Sequence, residues 1–140
     1  MTEQATDLFD TGIERYKAGE GPDTLIPLFK EVCANAPKTS AAWSCLAWLY
    51  MLDNQPAQAL KAAQKAVKLD AGDPQTRVNL AMTMLETGQT GVRQHIQAAQ
   101  QIMSMAPELR EQVQENIEEG LTRKPDWDSL KRVKNWLFES

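Results

Sequence analysis

Residues 40–74 read SAAWSCLAWLYMLDNQPAQALKAAQKAVKLDAGDP, with bulk concentrated in the first half, alanine in the second, and prolines at 56 and 74. Apolar residues recur three and four positions apart in both halves, the spacing that keeps them on one face of an α-helix. Proline is well tolerated at a helix start and poorly inside one, so Pro56 and Pro74 mark beginnings. The stretch therefore predicts helices over 40–53 and 56–69. The turn between them is short enough to force antiparallel packing.

The same reading extends in both directions. Glycine and proline punctuate the chain at Gly19, Gly21, Pro22, Pro37, Gly72, Gly88, Gly91, Pro107 and Pro125. Further helices are predicted over about 4–18, 22–35, 74–87, 91–105, 107–122 and 127–138. No five-residue segment alternates as a strand does, so the fold class is all-α. Asp73 and Asp126 are expected to cap the helices that follow them.

The hairpins repeat, with a step of 34 residues that carries Phe9 to Trp43, Tyr16 to Tyr50 and Met84, and Leu46 and Ala47 to Leu80 and Ala81. The same step carries Leu25, Phe29 and Val32 to Ala59, Ala63 and Ala66, and beyond Gly88 it lengthens to 36 and reaches His95, Ala99, Ile102 and Pro107. One such hairpin is too small to bury its own apolar face, so it must stack on the next. Trp43 and Tyr50 then fill space left by Ala59, Ala63 and Ala66.

Trp43, Leu46, Ala47, Tyr50, Ala59, Ala63 and Ala66 together resemble the tetratricopeptide repeat. The first copy keeps Gly12, Tyr16, Phe29 and Pro37; the third keeps Leu80, Ala81, Gly88 and Pro107 but places Arg77 where tryptophan is usual. The resemblance covers residues 5–107 and implies a right-handed α-solenoid of about three hairpins in a single domain, 1–140. Its repeats would span about 5–39, 40–73 and 74–109, and residues 110–140 would form a C-terminal capping pair. Val113, Ile117 and Leu121 form one stripe of that cap, and Trp127, Leu130, Val133 and Leu137 another.

Composition excludes several function classes. The net charge of −4 over 140 residues would repel a nucleic-acid backbone, so no nucleic-acid partner is expected. The start MTEQATDLFD lacks the basic and apolar regions of a signal peptide, and no apolar run is long enough to span a membrane. A cytoplasmic location follows as the expectation, with peripheral attachment to a membrane complex left open. Cys33 and Cys45 lie twelve apart without a CxxC, and His95 is the single histidine, so neither a metal site nor a cofactor is predicted. No nucleophile and base, carboxylate pair or phosphate-binding loop is visible, and no catalytic residue is assigned. His95 reads as a packing residue.

Recognition remains: a non-enzymatic protein–protein interaction module, whether adaptor, scaffold or assembly factor. The resemblance implies binding in a concave groove lined by the first helix of each repeat. The outward positions there include Asp10, Glu14, Ser44, Trp48, Met51, Gln75, Val78, Asn79 and Met82. They suit an apolar or amphipathic peptide or helix, with a basic residue near Asp10 and Glu14 and with Trp48, Met51 and Met82 as anchors.

One subgroup of the family clamps chaperone C-terminal tails with lysine, asparagine and arginine, but the corresponding positions here hold Asp10, Glu14, Cys45, Gln75 and Asn79. Carboxylates there would repel a terminal carboxylate, so that clamp is not expected. Trp136 and Phe138 offer a second surface. The first twenty residues hold five acidic and two basic side chains and the last twenty hold three and five, which leaves weak head-to-tail self-association open. A permanent structural subunit and a binder of apolar small molecules or lipid chains are the alternatives.

Overall fold

The structure is a computed structural model that describes residues 1–139. Ser140, the last residue of the expected cap, lies outside the described residues. The elements are α1 (Glu3–Lys17), α2 (Pro22–Asn35), α3 (Ser40–Leu52), α4 (Pro56–Leu69), α5 (Pro74–Glu86), α6 (Val92–Met105), α7 (Pro107–Arg123) and α8 (Asp128–Phe138). Among the described residues there is no strand, and the protein is all-α.

The repeat is written into the backbone as well as the side chains. Helices α1, α3 and α5 each end on a left-handed residue, Gly19 (φ 96°), Asn54 (φ 58°) and Gly88 (φ 71°). After each, an N–H reaches back to the last turn: Glu20 to the Arg15 carbonyl, Gln55 to Tyr50, and Gln89 to Met84. Glycine takes this conformation without a Cβ clash and asparagine tolerates it better than most residues, so the sequence ends these helices where it does. Pro22, Pro56, Pro74 and Pro107 each open a helix. Asp73 caps α5, its Oδ1 accepting from the Gln75 N–H at 2.9 Å. Asp126 caps nothing, because α8 begins at Asp128 with Trp127 at its N-cap position.

Three hairpins, α1/α2, α3/α4 and α5/α6, stack in chain order. Ala59, Ala63 and Ala66 are wholly buried, which lets α4 lie close to its neighbours. A Cβ on Gly12 would come within 2.7 Å of Leu28 Cδ2, so glycine is what brings α1 onto α2. Phe9 meets Phe29 edge to face at 5.8 Å, and Trp43 is half-buried with its indole N–H donating to the Pro37 carbonyl at 2.9 Å.

The C-terminal pair closes the stack in two ways. Helix α8 runs back over α5 and α6, burying Leu130, Val133 and Leu137. Helix α7 crosses the inner face made by α1, α3 and α5: Asn116 meets Gln75 of α5, Gly120 meets Trp48 of α3, and Arg123 reaches the end of α1. No helix among the described residues is long and apolar enough to cross a membrane.

Candidate protein-binding face

The inner face takes its walls from α1, α3 and α5, and α7 lies across it. Gly120 permits this contact: a Cβ there would sit 2.6 Å from Trp48 Cζ2 and 3.0 Å from Leu130 Cδ2. The Trp48 ring stands 5.1 Å from that of Trp127, and its Nε1–H donates to the Tyr16 hydroxyl at 2.9 Å. Tyr16 in turn donates to Glu119 of α7. Burial, reinforced by that bond to Glu119, raises the Tyr16 pKa well above its ordinary value, so the hydroxyl stays a donor.

Arg123 completes the attachment. Its guanidinium donates to the carbonyls of Tyr16 and Glu20 at the end of α1, pairs with Glu119 at 2.6 Å, and stacks 3.8 Å over the Tyr16 ring. Carbonyls at a helix C-terminus lack intrahelical partners and carry the negative end of the helix dipole, so a cation is well placed there. Lys124 Nζ donates to Asn54 Oδ1 at 2.7 Å. On the far side, Trp127 and Ser129 both donate to Glu86 Oε2, at 2.9 and 2.6 Å, and seat the start of α8 on α5.

Between these walls and α7 lies a cavity of about 420 Å³. Ile13, Tyr16, Phe29, Trp48 and Leu49 give it apolar sides, and Cys45 lies among them. At one edge a polar ladder crosses three helices: Asn116 donates to Gln75 (3.1 Å), Gln75 to Asn79 (2.8 Å), and Asn79 to the hydroxyl of Ser44 (2.9 Å). Gln75 and Asn79 thus each use both ends of the amide, which leaves the buried Asn79 and Ser44 satisfied.

The structure brings four of the expected groove residues, Ser44, Trp48, Gln75 and Asn79, to this cavity. It places the others elsewhere. Met51, Val78 and Met82 have no exposed surface at all, because α5, which carries the last two, is surrounded by α3, α4, α6, α7 and α8, and α3, which carries Met51, packs among α2, α4 and α5. They belong to the core and cannot meet a partner in this arrangement. Trp48 is only 8% exposed and is required by the packing, contrary to its expected place as a surface anchor. Asp10 and Glu14 are exposed on α1 but do not line the cavity. Trp136 and Phe138 are half-buried on α8, with Arg132 5.2 Å over the former ring and Arg110 4.8 Å over the latter.

Glu119, Gly120, Arg123 and Trp127 were not singled out from sequence as residues of this face. A glycine inside a predicted helix is the one signal that points there, since it costs helix stability and implies close approach of another element. Among the described residues no cluster of three or more His, Cys, Asp or Glu side chains is arranged to hold a metal ion. His95 is half-buried, its Nδ1 2.9 Å from Arg77 Nη1, and burial with the nearby guanidinium lowers its pKa.

No protein-family model matches the chain, and no curated protein matches it by sequence. Solved structures do match in shape. The type III secretion translocator chaperone SycD of Yersinia enterocolitica superposes with a TM-score of 0.70 at 16% identity, over 96% of this chain and 94% of its own. PcrH of Pseudomonas aeruginosa gives 0.70 at 18% identity over 96% and 95%, and the TPR domain of Sgt2 from Aspergillus fumigatus gives 0.58 at 17% over 94% and 75%. SycD has also been solved with a peptide of the translocator YopD, and PcrH with the chaperone binding region of PopD. The three hairpins and their covering pair are therefore a tetratricopeptide-type helical stack.

Proposed function

We propose that this protein is a non-enzymatic binding module, a chaperone-like adaptor, scaffold or assembly factor, that takes an apolar or amphipathic protein segment on its inner face. The cavity of about 420 Å³ carries this reading: its walls are apolar, while Lys17, Glu115 and Glu119 supply charge at its margin. A site with mostly apolar walls and a few convergent polar groups suits apolar side chains held in one orientation. The shape shared with SycD and PcrH supports it, since both of those proteins are known with translocator segments bound. The chain acts as one domain, with repeats over about 5–39, 40–73 and 74–109 and a cap over 110–140, and works in the cytoplasm, where a partner segment would be met before assembly.

The test uses peptides selected on the purified protein from helical and extended libraries. Ile13→Glu places a charge against the cavity wall at a half-buried position, and it is expected to abolish binding while preserving helical content. In a Cys33→Ala background, bound peptide should slow alkylation of Cys45, which lines the cavity. Unchanged affinity in Ile13→Glu together with unprotected Cys45 would overturn the assignment. A volume of this size also suits a small apolar ligand. Competition by a fatty acid that leaves no peptide bound would favour that second reading.

A further inference from the structure

Helix α7 already occupies much of the inner face, and the manner of its seating defines what else could sit there. Two of its residues, Gly120 and Arg123, meet the wall directly, and a third, Ile117, is buried on the same side of the helix. Ile117 is wholly buried, Gly120 lies against the Trp48 indole, and Arg123 caps the carbonyls of Tyr16 and Glu20. Residues spaced by three share a helix face, so one amphipathic helix presents all three at once. Asn116 and Glu119, beside that stripe, match the Gln75 amide and the Tyr16 hydroxyl.

From this seating, and resting on the reading of the inner face as a protein-binding surface, we infer that the partner segment is an amphipathic helix that replaces α7. It carries an aliphatic residue, a small residue three positions later to pass Trp48, and an arginine three positions after that. The small residue is a steric requirement, because a Cβ at Gly120 already falls 2.6 Å from the indole. The arginine is an electrostatic one, because the Tyr16 and Glu20 carbonyls take their side-chain bonds from the Arg123 guanidinium, while Arg15 of the last turn of α1 is committed to the Glu20 carboxylate. Helix α7 is then a tethered competitor. A partner's apparent affinity is reduced by the fraction of molecules in which α7 is seated, and loosening α7 raises it.

The probe is a labelled peptide of residues 107–124 of this chain, PELREQVQENIEEGLTRK, added to the full-length protein. Gly120→Leu in the protein collides with Trp48 and loosens its own α7. That variant is expected to bind the peptide at least about tenfold more tightly than the wild-type protein does. A peptide with Gly120→Leu, or one with Arg123→Glu, is expected to lose at least about tenfold in affinity for the loosened protein.

Should Gly120→Leu fail to fold, the protein variant Glu119→Ala with Arg123→Ala removes the attachment of α7 to Tyr16 and Glu20 without adding bulk, and carries the same expected gain. A folded variant that binds no better than wild type overturns the inference, as does equal binding of the original and Arg123→Glu peptides. The two readings separate cleanly. If Ile13→Glu abolishes binding of library peptides but neither loosened variant gains, the inner face binds protein and this partner chemistry is wrong. If Ile13→Glu changes nothing and Cys45 stays unprotected, the broader reading has failed.

Discussion

Replacing Gly120 with alanine sets two effects of known size against each other. Inside an exposed helix the change stabilises by about 1 kcal/mol, because glycine loses more backbone freedom on folding. At Gly120 the added Cβ would lie 2.6 and 3.0 Å from Trp48 Cζ2 and Cη2 and 3.0 Å from Leu130 Cδ2. The indole cannot swing aside cheaply, being held by the 2.9 Å bond to Tyr16 and by the Trp127 ring. Overpacking of this kind costs about 1–3 kcal/mol, so the net effect should run from near zero to about 2 kcal/mol of destabilisation. For a chain of this length that is a fall in Tm of up to about 8 °C.

Urea denaturation of Gly120→Ala, Trp48→Phe and the double variant measures the contact itself. Phenylalanine lacks the ring atoms that crowd Gly120 and leaves only the flexible end of Leu130 close to the new Cβ, so in that background alanine should stabilise by up to about 1 kcal/mol, and the cycle should return a coupling of about 1 kcal/mol. If alanine raises the midpoint equally in both backgrounds, α7 does not press on Trp48 and its path across the inner face is wrong.

Four other outcomes follow from the packing and the charges. Arg123→Ala removes a side chain only 15% exposed that holds two backbone carbonyls, and should cost about 2–3 kcal/mol in chemical denaturation. Ala63→Leu inserts volume at a wholly buried position and should cost about 1–3 kcal/mol, seen as a lower melting temperature. Burial pushes the Cys33 and Cys45 thiols up to about 12, so iodoacetamide near pH 8 should label both slowly in the native protein and rapidly in denaturant. The His95 pKa is depressed in the fold by burial and then by Arg77, so its stabilising contribution is complete above the ordinary value of 6.5 and is lost as pH falls through the folded value. His95→Gln should accordingly show a smaller drop in melting temperature than wild type between about pH 7.5 and pH 5.

What the sequence made legible was local. The step of 34 residues, the prolines that open helices and the residues at 19, 54 and 88 that close them act within one or two turns of chain, and each helix bound lies within one residue of its expected place. The path of α7 rests on contacts such as Tyr16 with Glu119, 103 residues apart. Periodicity tells which side of such a helix is apolar but not which surface it will meet. The stripe of Val113, Ile117 and Leu121 does pack, with Leu121 partly buried, but the closest approach falls at Gly120 beside it. A small residue carries no hydrophobic signal even where it is the point of closest approach. The misplacement of Met51, Val78 and Met82 has the same origin. They face inward on α3 and α5, as the register requires, but a surface open in three hairpins alone is covered once α7 and α8 fold back.

That covering also explains why α3 is apolar on nearly every side. Leu46, Trp48, Leu49, Tyr50 and Met51 are all buried, more than one neighbouring hairpin on each side could cover. Left open, the inner side of α3 would expose an aromatic and sulfur-rich patch prone to unwanted association. Helix α7 shields it, and the polar bonds at its far end hold the shield without adding apolar area there. Such bonds can be exchanged for equivalent ones from a partner helix at little net cost, because each group passes from one partner to another. Apolar contacts at Ile117 and Gly120 would be exchanged in the same way. The energy available to a partner is therefore the difference between its fit and that of α7, so affinity is governed by how well each passes Trp48 and reaches the end of α1.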